Sequence, residues 1–144
     1  MRTAILAGLA VVLLAGCGSD DGDGGGEQAA ALTGPLTYER GGGIAGRRDR
    51  LVVEPDGSAT LTIRDKTKPV KLKDSELDRL VTDLEDADLA SLPADSKSPR
   101  PIPDSFGYRV SYDGATVTTD DPAMPDALRG LVARLGALVD RYDR

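Results

Sequence analysis

The 144-residue chain contains no histidine, no tryptophan and a single cysteine, Cys17. Histidine is the most frequent general base in enzymes, so its absence excludes a Ser-His-Asp or Cys-His relay. One cysteine cannot form an internal disulfide, and without histidine it cannot complete a Cys/His zinc site. Paired carboxylates or a Ser-Lys pair stay open, but the sequence does not group them. The composition therefore predicts a protein that is not an enzyme and that needs no cofactor or metal.

Positive charge is also in short supply. The chain has 18 Lys and Arg residues against 24 Asp and Glu, a formal net charge of −6. A nucleic-acid-binding protein must neutralise phosphates with Lys and Arg, and anionic lipid surfaces attract basic segments. We therefore expect no nucleic-acid partner. Arg is more frequent than Lys, and Ala, Gly and Asp abound, a composition typical of a GC-rich, for example actinobacterial, genome.

The longest apolar run covers only residues 4–14 and follows a short segment with one positive charge, Arg2. A bilayer-spanning helix needs about 20 apolar residues. The apolar core of a secretory signal peptide needs only about 7–15. The run therefore predicts a signal peptide over residues 1–16.

The run ends in Leu14-Ala15-Gly16-Cys17, which resembles the bacterial lipobox. The resemblance implies that the thiol of Cys17 takes a diacylglycerol, that the chain is cut before Cys17, and that the new amine is acylated, for example with palmitate. Two or more acyl chains give stable anchoring. We expect a lipoprotein held on the extracytoplasmic side of the cell membrane. The alternative is an ordinary signal peptide followed by a chance cysteine.

Residues 17–33 are rich in Gly and Asp and show no periodicity, which predicts a flexible tether. Its aspartates lack the spacing and the distal Glu of a calcium loop. Residues 34–144 are enough for one domain with one core, and we expect a monomer. Loss of residues 1–16 removes Arg2 and changes the formal charge from −6 to −7, with 17 basic and 24 acidic residues left.

Apolar periodicity predicts the elements of this domain. Alternating patterns predict strands, and two stripes with helical spacing predict amphipathic helices that begin near Asp74 and Pro125. Half-polar strands favour an antiparallel sheet with one wet face. The prediction is an α+β fold with an antiparallel sheet of about four to five strands and both helices on one face, in the order β-β-β-α-β-β-α. The predicted strands cover residues 35–40, 50–54, 58–64, 105–112 and 115–120, and a lysine-flanked extended path through Val70 and Leu72 suits a sheet edge.

Four other features have both a functional and a purely structural interpretation. The glycine-rich loop 41–47 suits a binding loop or a strained strand connection. Arg47, Arg48 and Arg50 suit a positive patch that steers an acidic partner, or a solvated face. The proline-rich segment 93–104 suits a second contact or a stiff crossover. The last feature is an aromatic strand face, which is expected to be core: Phe106, Tyr108 and Tyr112.

The segment from Leu36 to Tyr142 resembles the emfourin family, small inhibitors of thermolysin-like (M4) and protealysin-type metalloproteases. Four pieces carry the resemblance, and they occur in order along nearly the whole domain. They are Tyr38-Glu39-Arg40 followed by Gly42-Gly43-Ile44-Ala45-Gly46, Glu76-Leu77-x-x-Leu80-Val81, Asp104-x-Phe106-x-Tyr108-x-Val110, and Pro125-x-x-Leu128-x-x-Leu131. The family usually has Phe where this chain has Ile44.

The resemblance implies inhibition by tight binding to a protease active-site cleft, with a metalloprotease as partner. The expected partner-binding residues are Gly42, Gly43, Ile44, Ala45 and Gly46, with Ile44 as the apolar anchor. The alternative for this loop places Ile44 at the edge of the core. The competing functions are a non-inhibitory envelope module that binds or scaffolds a partner, a small-ligand-binding lipoprotein, and a weak enzyme.

Overall fold

A computed structural model of the protein describes residues 31–100 and 102–144. The predicted signal peptide, Cys17 and most of the predicted tether lie outside these residues. The described chain has an α+β fold, as predicted, in which one sheet is combined with two helices. Among the described residues, no helix has the length and apolar character needed to cross a membrane.

Nine main elements follow one another along the chain. They are β1 (Leu36–Gly42), β2 (Arg47–Val53), β3 (Ser58–Ile63), β4 (Lys66–Lys71), α1 (Asp74–Ala87), β5 (Asp95–Ser96), β6 (Phe106–Tyr112), β7 (Ala115–Asp120) and α2 (Asp126–Tyr142). Short 3-10 turns at Leu89–Ser91 and Asp121–Ala123 follow α1 and β7. The strand order in the sheet is β4-β3-β2-β1-β6-β7-β5, so β1 lies at the centre.

The predicted strand count was too low, and the sheet is not purely antiparallel. Seven strands are present among the described residues, and β5 pairs parallel to β7. β5 is only two residues long and lies inside the segment predicted as a proline-rich loop. β4 pairs with β3 along its whole length, from Ser58 opposite Lys71 to Ile63 opposite Lys66. Its lysines and Pro69 carry no apolar alternation, but they suit the edge position it occupies.

The hydrophobic core lies between the helices and one face of the sheet. Opposed residues on the central strands form continuous apolar rows, for example Tyr38 opposite both Leu51 and Val110. These three side chains are fully buried. Each helix contributes one apolar stripe, with the buried residues Leu80, Val81, Leu84 and Ala87 in α1, and Leu128, Leu131, Val132, Leu135, Leu138 and Val139 in α2. The alternate strand positions point to the outer face of the sheet, which neither α1 nor α2 covers.

Leu32, which was predicted as part of the tether, is buried in the core. The next residue, Thr33, donates its backbone N–H to the Tyr112 hydroxyl at 2.9 Å. Ala31 lines the same surface pocket as Leu84 and Asp88 near the end of α1. The N-terminal segment therefore joins the domain on the helix-covered side, at the end of the sheet where β1 starts.

Glu76, in the first turn of α1, ties this helix to the end of α2. Its carboxylate accepts hydrogen bonds from the Tyr142 hydroxyl at 2.6 Å and the Lys73 backbone N–H at 3.0 Å, and it pairs with Arg141. Burial alone would raise the pKa of Glu76, but the bonds from Tyr142 and Lys73 and the charge of Arg141 outweigh it, so the pKa lies below its ordinary value.

A Glu76→Gln variant is expected to lose about 1 kcal/mol of unfolding free energy at pH 7, because the charge-assisted bonds become neutral ones. A carboxyl whose pKa is lowered by folding stabilises the protein above its unfolded-state pKa, and this contribution disappears as the pH falls through the folded-state pKa. Urea denaturation of both proteins should therefore show a difference in unfolding free energy that is full at pH 7. This difference should shrink as the pH falls below 4.5, the ordinary pKa of a glutamate side chain. A difference that is constant between pH 7 and pH 3 would contradict this role.

Candidate functional site

The glycine-rich segment forms the turn of the β1–β2 hairpin. The last strand pair is Gly42 opposite Arg47, and Gly46 N–H donates to the Gly43 carbonyl at 3.0 Å. The loop is therefore shorter than the predicted 41–47, since β1 continues through Gly42 and β2 starts at Arg47. Of the five predicted partner-binding residues, Gly42 ends β1, and Gly43, Ile44, Ala45 and Gly46 form what we call the Ile44 turn.

Ile44 is 90% exposed at the tip of this turn. The structure therefore does not place it at the edge of the core, which was the alternative interpretation. Single exposed apolar residues are common on proteins, but an isoleucine that is almost wholly in water gains nothing from the fold. Its side chain is free to enter an apolar pocket of a partner.

The Ile44 turn rests on Phe106, the first residue of β6. A Cβ atom placed on Gly43 would lie 2.6 Å from the Phe106 ring, so the turn backbone is in close contact with that ring. Gly43 N–H donates to the Ser105 carbonyl at 3.2 Å. The guanidinium of Arg40, on the neighbouring strand β1, lies over the Phe106 ring at 5.6 Å from the ring centroid. The Phe106 ring and the backbone hydrogen bond to Ser105 therefore support the turn.

A buried ion-pair network lies under the hairpin. One carboxylate oxygen of Asp49 accepts from Arg40 Nε at 2.9 Å, Arg40 Nη2 at 2.7 Å and Arg47 Nε at 2.9 Å. The Asp49 side chain is only 1% exposed. Arg40 also reaches Asp140 of α2 at 2.8 Å, and Arg47 reaches Asp143 at 3.5 Å. Charged groups therefore connect the two strands of the hairpin to the end of α2.

Arg40 remains charged in this network. Burial alone would lower the pKa of Arg40, but its hydrogen bonds to Asp140 and Asp49 outweigh burial and hold the pKa above its ordinary value. The second carboxylate oxygen of Asp49 has no hydrogen-bond partner among the described residues. The hydrogen bonds from Arg40 and Arg47 therefore offset the desolvation cost of the buried Asp49 carboxylate.

The three arginines predicted as one patch lie on two faces of the sheet. Alternation along β2 turns Arg47 toward α2 with Asp49, while Arg48 and Arg50 point to the outer face. Arg47 is engaged in ion pairs, so only Arg48 and Arg50, both exposed, remain candidates for the predicted positive patch.

The aromatic side chains of β6 are half-buried instead of fully buried. Tyr108 stacks on the buried Tyr38 at 6.4 Å between ring centroids and donates to Asp121 at 2.7 Å. Asp121 also accepts the Phe106 backbone N–H at 2.8 Å, which fixes the start of β6 beside the turn. Tyr112 packs against the core and accepts from Thr33. Tyr108 and Phe106 therefore form a continuous aromatic row with the buried Tyr38, and Phe106 contacts the Ile44 turn.

The segment 93–104 places a second apolar side chain near the turn. Ile102 is 52% exposed, and its carbonyl accepts the Ser105 N–H at 3.3 Å. Ser105 in turn accepts from Gly43, so the two loops are linked through one residue. Ile44 and Ile102 are the two large apolar side chains that are exposed in the described part of the chain.

Gly43 has a conformation that disfavours any side chain. Its φ is +70°, and an added Cβ would collide with the Phe106 ring. A Gly43→Ala variant is therefore expected to lose about 2–3 kcal/mol of stability, from left-handed backbone strain plus the displaced ring. Gly46 is the matched control, because its φ is +54° but nothing lies within 4 Å of an added Cβ.

Thermal or urea unfolding should show a smaller loss for Gly46→Ala, about 1–2 kcal/mol from strain alone. Equal losses in the two variants would mean that Phe106 does not support the turn.

The part of the chain that the structure describes contains no group of three or more His, Cys, Asp or Glu residues able to hold a metal ion. No protein-family model matches the chain, and a comparison with curated proteins also finds no match.

Proposed function

We propose that the protein is a membrane-anchored lipoprotein that inhibits a thermolysin-like metalloprotease, with the Ile44 turn bound in the active-site cleft. The observation that carries the proposal is Ile44 itself, a large apolar side chain that is 90% exposed on a short, supported turn. Thermolysin-like proteases favour bulky apolar residues in their main specificity pocket, which suits an isoleucine anchor. The order of sequence pieces that resembles emfourins is consistent with this activity.

The support beneath the turn favours tight binding. A flexible loop loses conformational entropy when it binds, whereas a loop already fixed in its bound shape loses little. The Phe106 ring and the Ser105 carbonyl contact the turn, and the Asp49 ion pairs join the two strands that carry it. The same rigidity would keep the backbone from adapting to the protease and being cut.

The exposed Ile102 widens the proposed contact. It lies on the loop that is hydrogen-bonded to Gly43 through Ser105, so a protease that covers Ile44 would meet this loop as well. A buried centre around one apolar anchor, surrounded by weaker contacts that exclude water, is the usual organisation of a protein interface.

The position of the turn suits a protein tethered by its N-terminus. The N-terminal segment joins the sheet where β1 starts, and the Ile44 turn lies past the other end of this strand, about 20 Å away for seven residues. A lipid on Cys17, joined through the predicted flexible tether, would therefore attach the domain at the end of the sheet opposite the turn and leave the turn accessible. A tether on the turn side would instead hide the anchor residue.

Lipid anchoring at Cys17 can be tested separately. A Cys17→Ser variant expressed in a bacterial host should appear in the culture medium, whereas the unchanged chain stays in the membrane fraction, because the thiol that takes the diacylglycerol is missing. Fractionation followed by immunoblotting measures the distribution. A variant that stays in the membrane fraction would contradict lipid anchoring at Cys17.

The inhibitory activity is tested by titrating a thermolysin-like metalloprotease with the protein and following a fluorogenic peptide substrate. We expect inhibition that saturates near one equivalent. No inhibition of several such proteases by a protein with a cooperative unfolding transition would leave the non-inhibitory envelope-binding module as the better hypothesis.

A further inference from the structure

The outer face of the sheet contains a trough whose floor is made of glycine. Gly41 of β1 lies opposite both Gly107 of β6 and Arg48 of β2 in the strand register. An added Cβ would meet its nearest neighbour at 3.7 Å on Gly41 and 3.9 Å on Gly107, so packing does not require glycine at either position. Without side chains here, the face is concave, with a volume of about 550 Å³.

Basic side chains surround this trough. Five basic residues border it, and all are exposed: Arg48, Arg50, Arg64, Lys97 and Arg109. Two acidic residues share this face, Glu39 in the lining and Asp120, which lies opposite Gly107 in the strand register. Arg50 lies 3.6 Å from Glu39, and within the described ranges the other four have no ion pair. The chain as a whole carries a net charge of −6, whereas basic residues outnumber acidic ones around this trough.

We propose that this trough binds an acidic, extended peptide segment of a partner protein. Like charges gathered on a concave surface repel one another and concentrate anions from solution. Arginine binds carboxylates through paired, charge-assisted hydrogen bonds. The glycine floor lets the backbone of a bound peptide approach the sheet closely. This site is distinct from the Ile44 turn and does not rest on the proposed inhibitory activity.

The spacing of the charges points to a segment rather than a single small anion. Arg64 follows β3, and Lys97 lies beside Thr118 of β7, four strands away across the sheet. At about 4.8 Å per strand the trough is about 19 Å long, which is far more than one carboxylate or phosphate can span. About six residues of extended chain cover that length.

Nucleic acid fits the trough less well than an acidic peptide. The outer positions of β1, β2 and β6 carry Thr, Glu, Gly, Arg, Val and Ser, so the described face offers no aromatic surface on which bases could stack. The protein's own acidic segment, Asp20 to Glu27, is also disfavoured. The described chain starts at Ala31 on the helix-covered side, whereas the trough lies on the other side of the sheet.

The test uses the full chain and a fluorescein-labelled octaglutamate peptide, with octaglutamine and a 12-nucleotide DNA strand as comparison probes. Fluorescence anisotropy should show binding of octaglutamate that weakens with added salt, and little binding of octaglutamine or DNA. Arg109→Glu is expected to weaken binding at least about tenfold. Arg129→Glu, at a similarly exposed arginine on α2, is the matched control and should change it less than about twofold.

A second variant separates lost affinity from lost fold. Gly41→Val keeps every charge and is compatible with a strand, but it fills the floor, so it should also weaken octaglutamate binding about tenfold without lowering the melting temperature. Equal weakening by Arg109→Glu and Arg129→Glu would overturn the proposal. So would DNA binding tighter than octaglutamate, or about tenfold tighter octaglutamate binding after deletion of residues 18–30, which would assign the trough to the chain's own acidic segment.

Discussion

Replacement of Asp49 by Ala is expected to lower the unfolding free energy by about 3 kcal/mol. Asp49 is the buried partner of both Arg40 and Arg47, and its loss leaves Arg40 inside the protein without its main counter-charge. Loss of one member of a buried pair typically costs about 3–5 kcal/mol. We expect the lower end of that range, because Asp140 still neutralises Arg40 from a half-exposed position.

Two further variants separate charge from packing. Asp49→Asn keeps a hydrogen-bond acceptor but removes the charge, so its unfolding free energy should lie between those of the wild type and Asp49→Ala. The double variant Arg40→Met with Asp49→Leu removes both charges and should recover much of the lost stability, as apolar replacements of buried ion pairs often do. Urea denaturation provides the values. A loss below about 1 kcal/mol for Asp49→Ala would mean that the network does not hold the hairpin to α2.

An Ile44→Asp variant should lose the proposed inhibition by at least about 100-fold with no change in melting temperature. Ile44 touches little of its own fold at 90% exposure, and surface substitutions of this kind change stability by about 0.5 kcal/mol or less. In a complex, the same residue would lie at the centre of the interface, where a charge in an apolar pocket costs well over the ~2 kcal/mol of a typical anchor residue. The inhibition constant against a thermolysin-like metalloprotease measures the effect.

Controls for this variant are available in the same protein. Thr116→Asp adds the same charge to an exposed strand position near the opposite end of the sheet and should leave inhibition unchanged. Ile44→Phe introduces the residue usual in the emfourin family and should retain inhibition. A fall in melting temperature with Ile44→Asp would assign Ile44 to the fold instead. Unchanged inhibition would remove the turn from the contact.

The regular elements could be predicted because their side chains alternate on strands or recur on one helix face. The two strands missing from the predicted count lack such a pattern. β5 has two residues, and only its tertiary contact with Thr118 and Thr119 makes it a strand. β4 was predicted only as an extended path through Val70 and Leu72 that suits a sheet edge, because its lysines, threonine and proline give no apolar alternation along the strand.

The ion-pair network under the turn was missed, although the sequence contains its signal. Leu36, Tyr38 and Arg40 alternate along β1, so Arg40 occupies the row that faces the core. Asp49 precedes Leu51 in the same way on β2. A charged residue at a core position of each of two paired strands predicts a buried ion pair. Asp140 could not be found by this reasoning, because its contact depends on how α2 packs on the sheet.

The exposure of Ile44 could not be decided from sequence either. An apolar residue among glycines is compatible with burial at the core edge and with a protruding turn, and the choice depends on where Phe106 and the loop before it lie. The close contact between Gly43 and the ring of Phe106, a residue distant in the sequence, fixes the turn in its protruding position.

Occupation of the protease active site is the central claim, and competition tests it most directly. The inhibition constant of the protein should be measured against a thermolysin-like metalloprotease at increasing concentrations of a small ligand that binds the catalytic zinc. If the Ile44 turn fills the cleft, the apparent inhibition constant should rise in proportion to the ligand concentration. An inhibition constant that stays the same while the small ligand saturates the active site would contradict binding in the cleft.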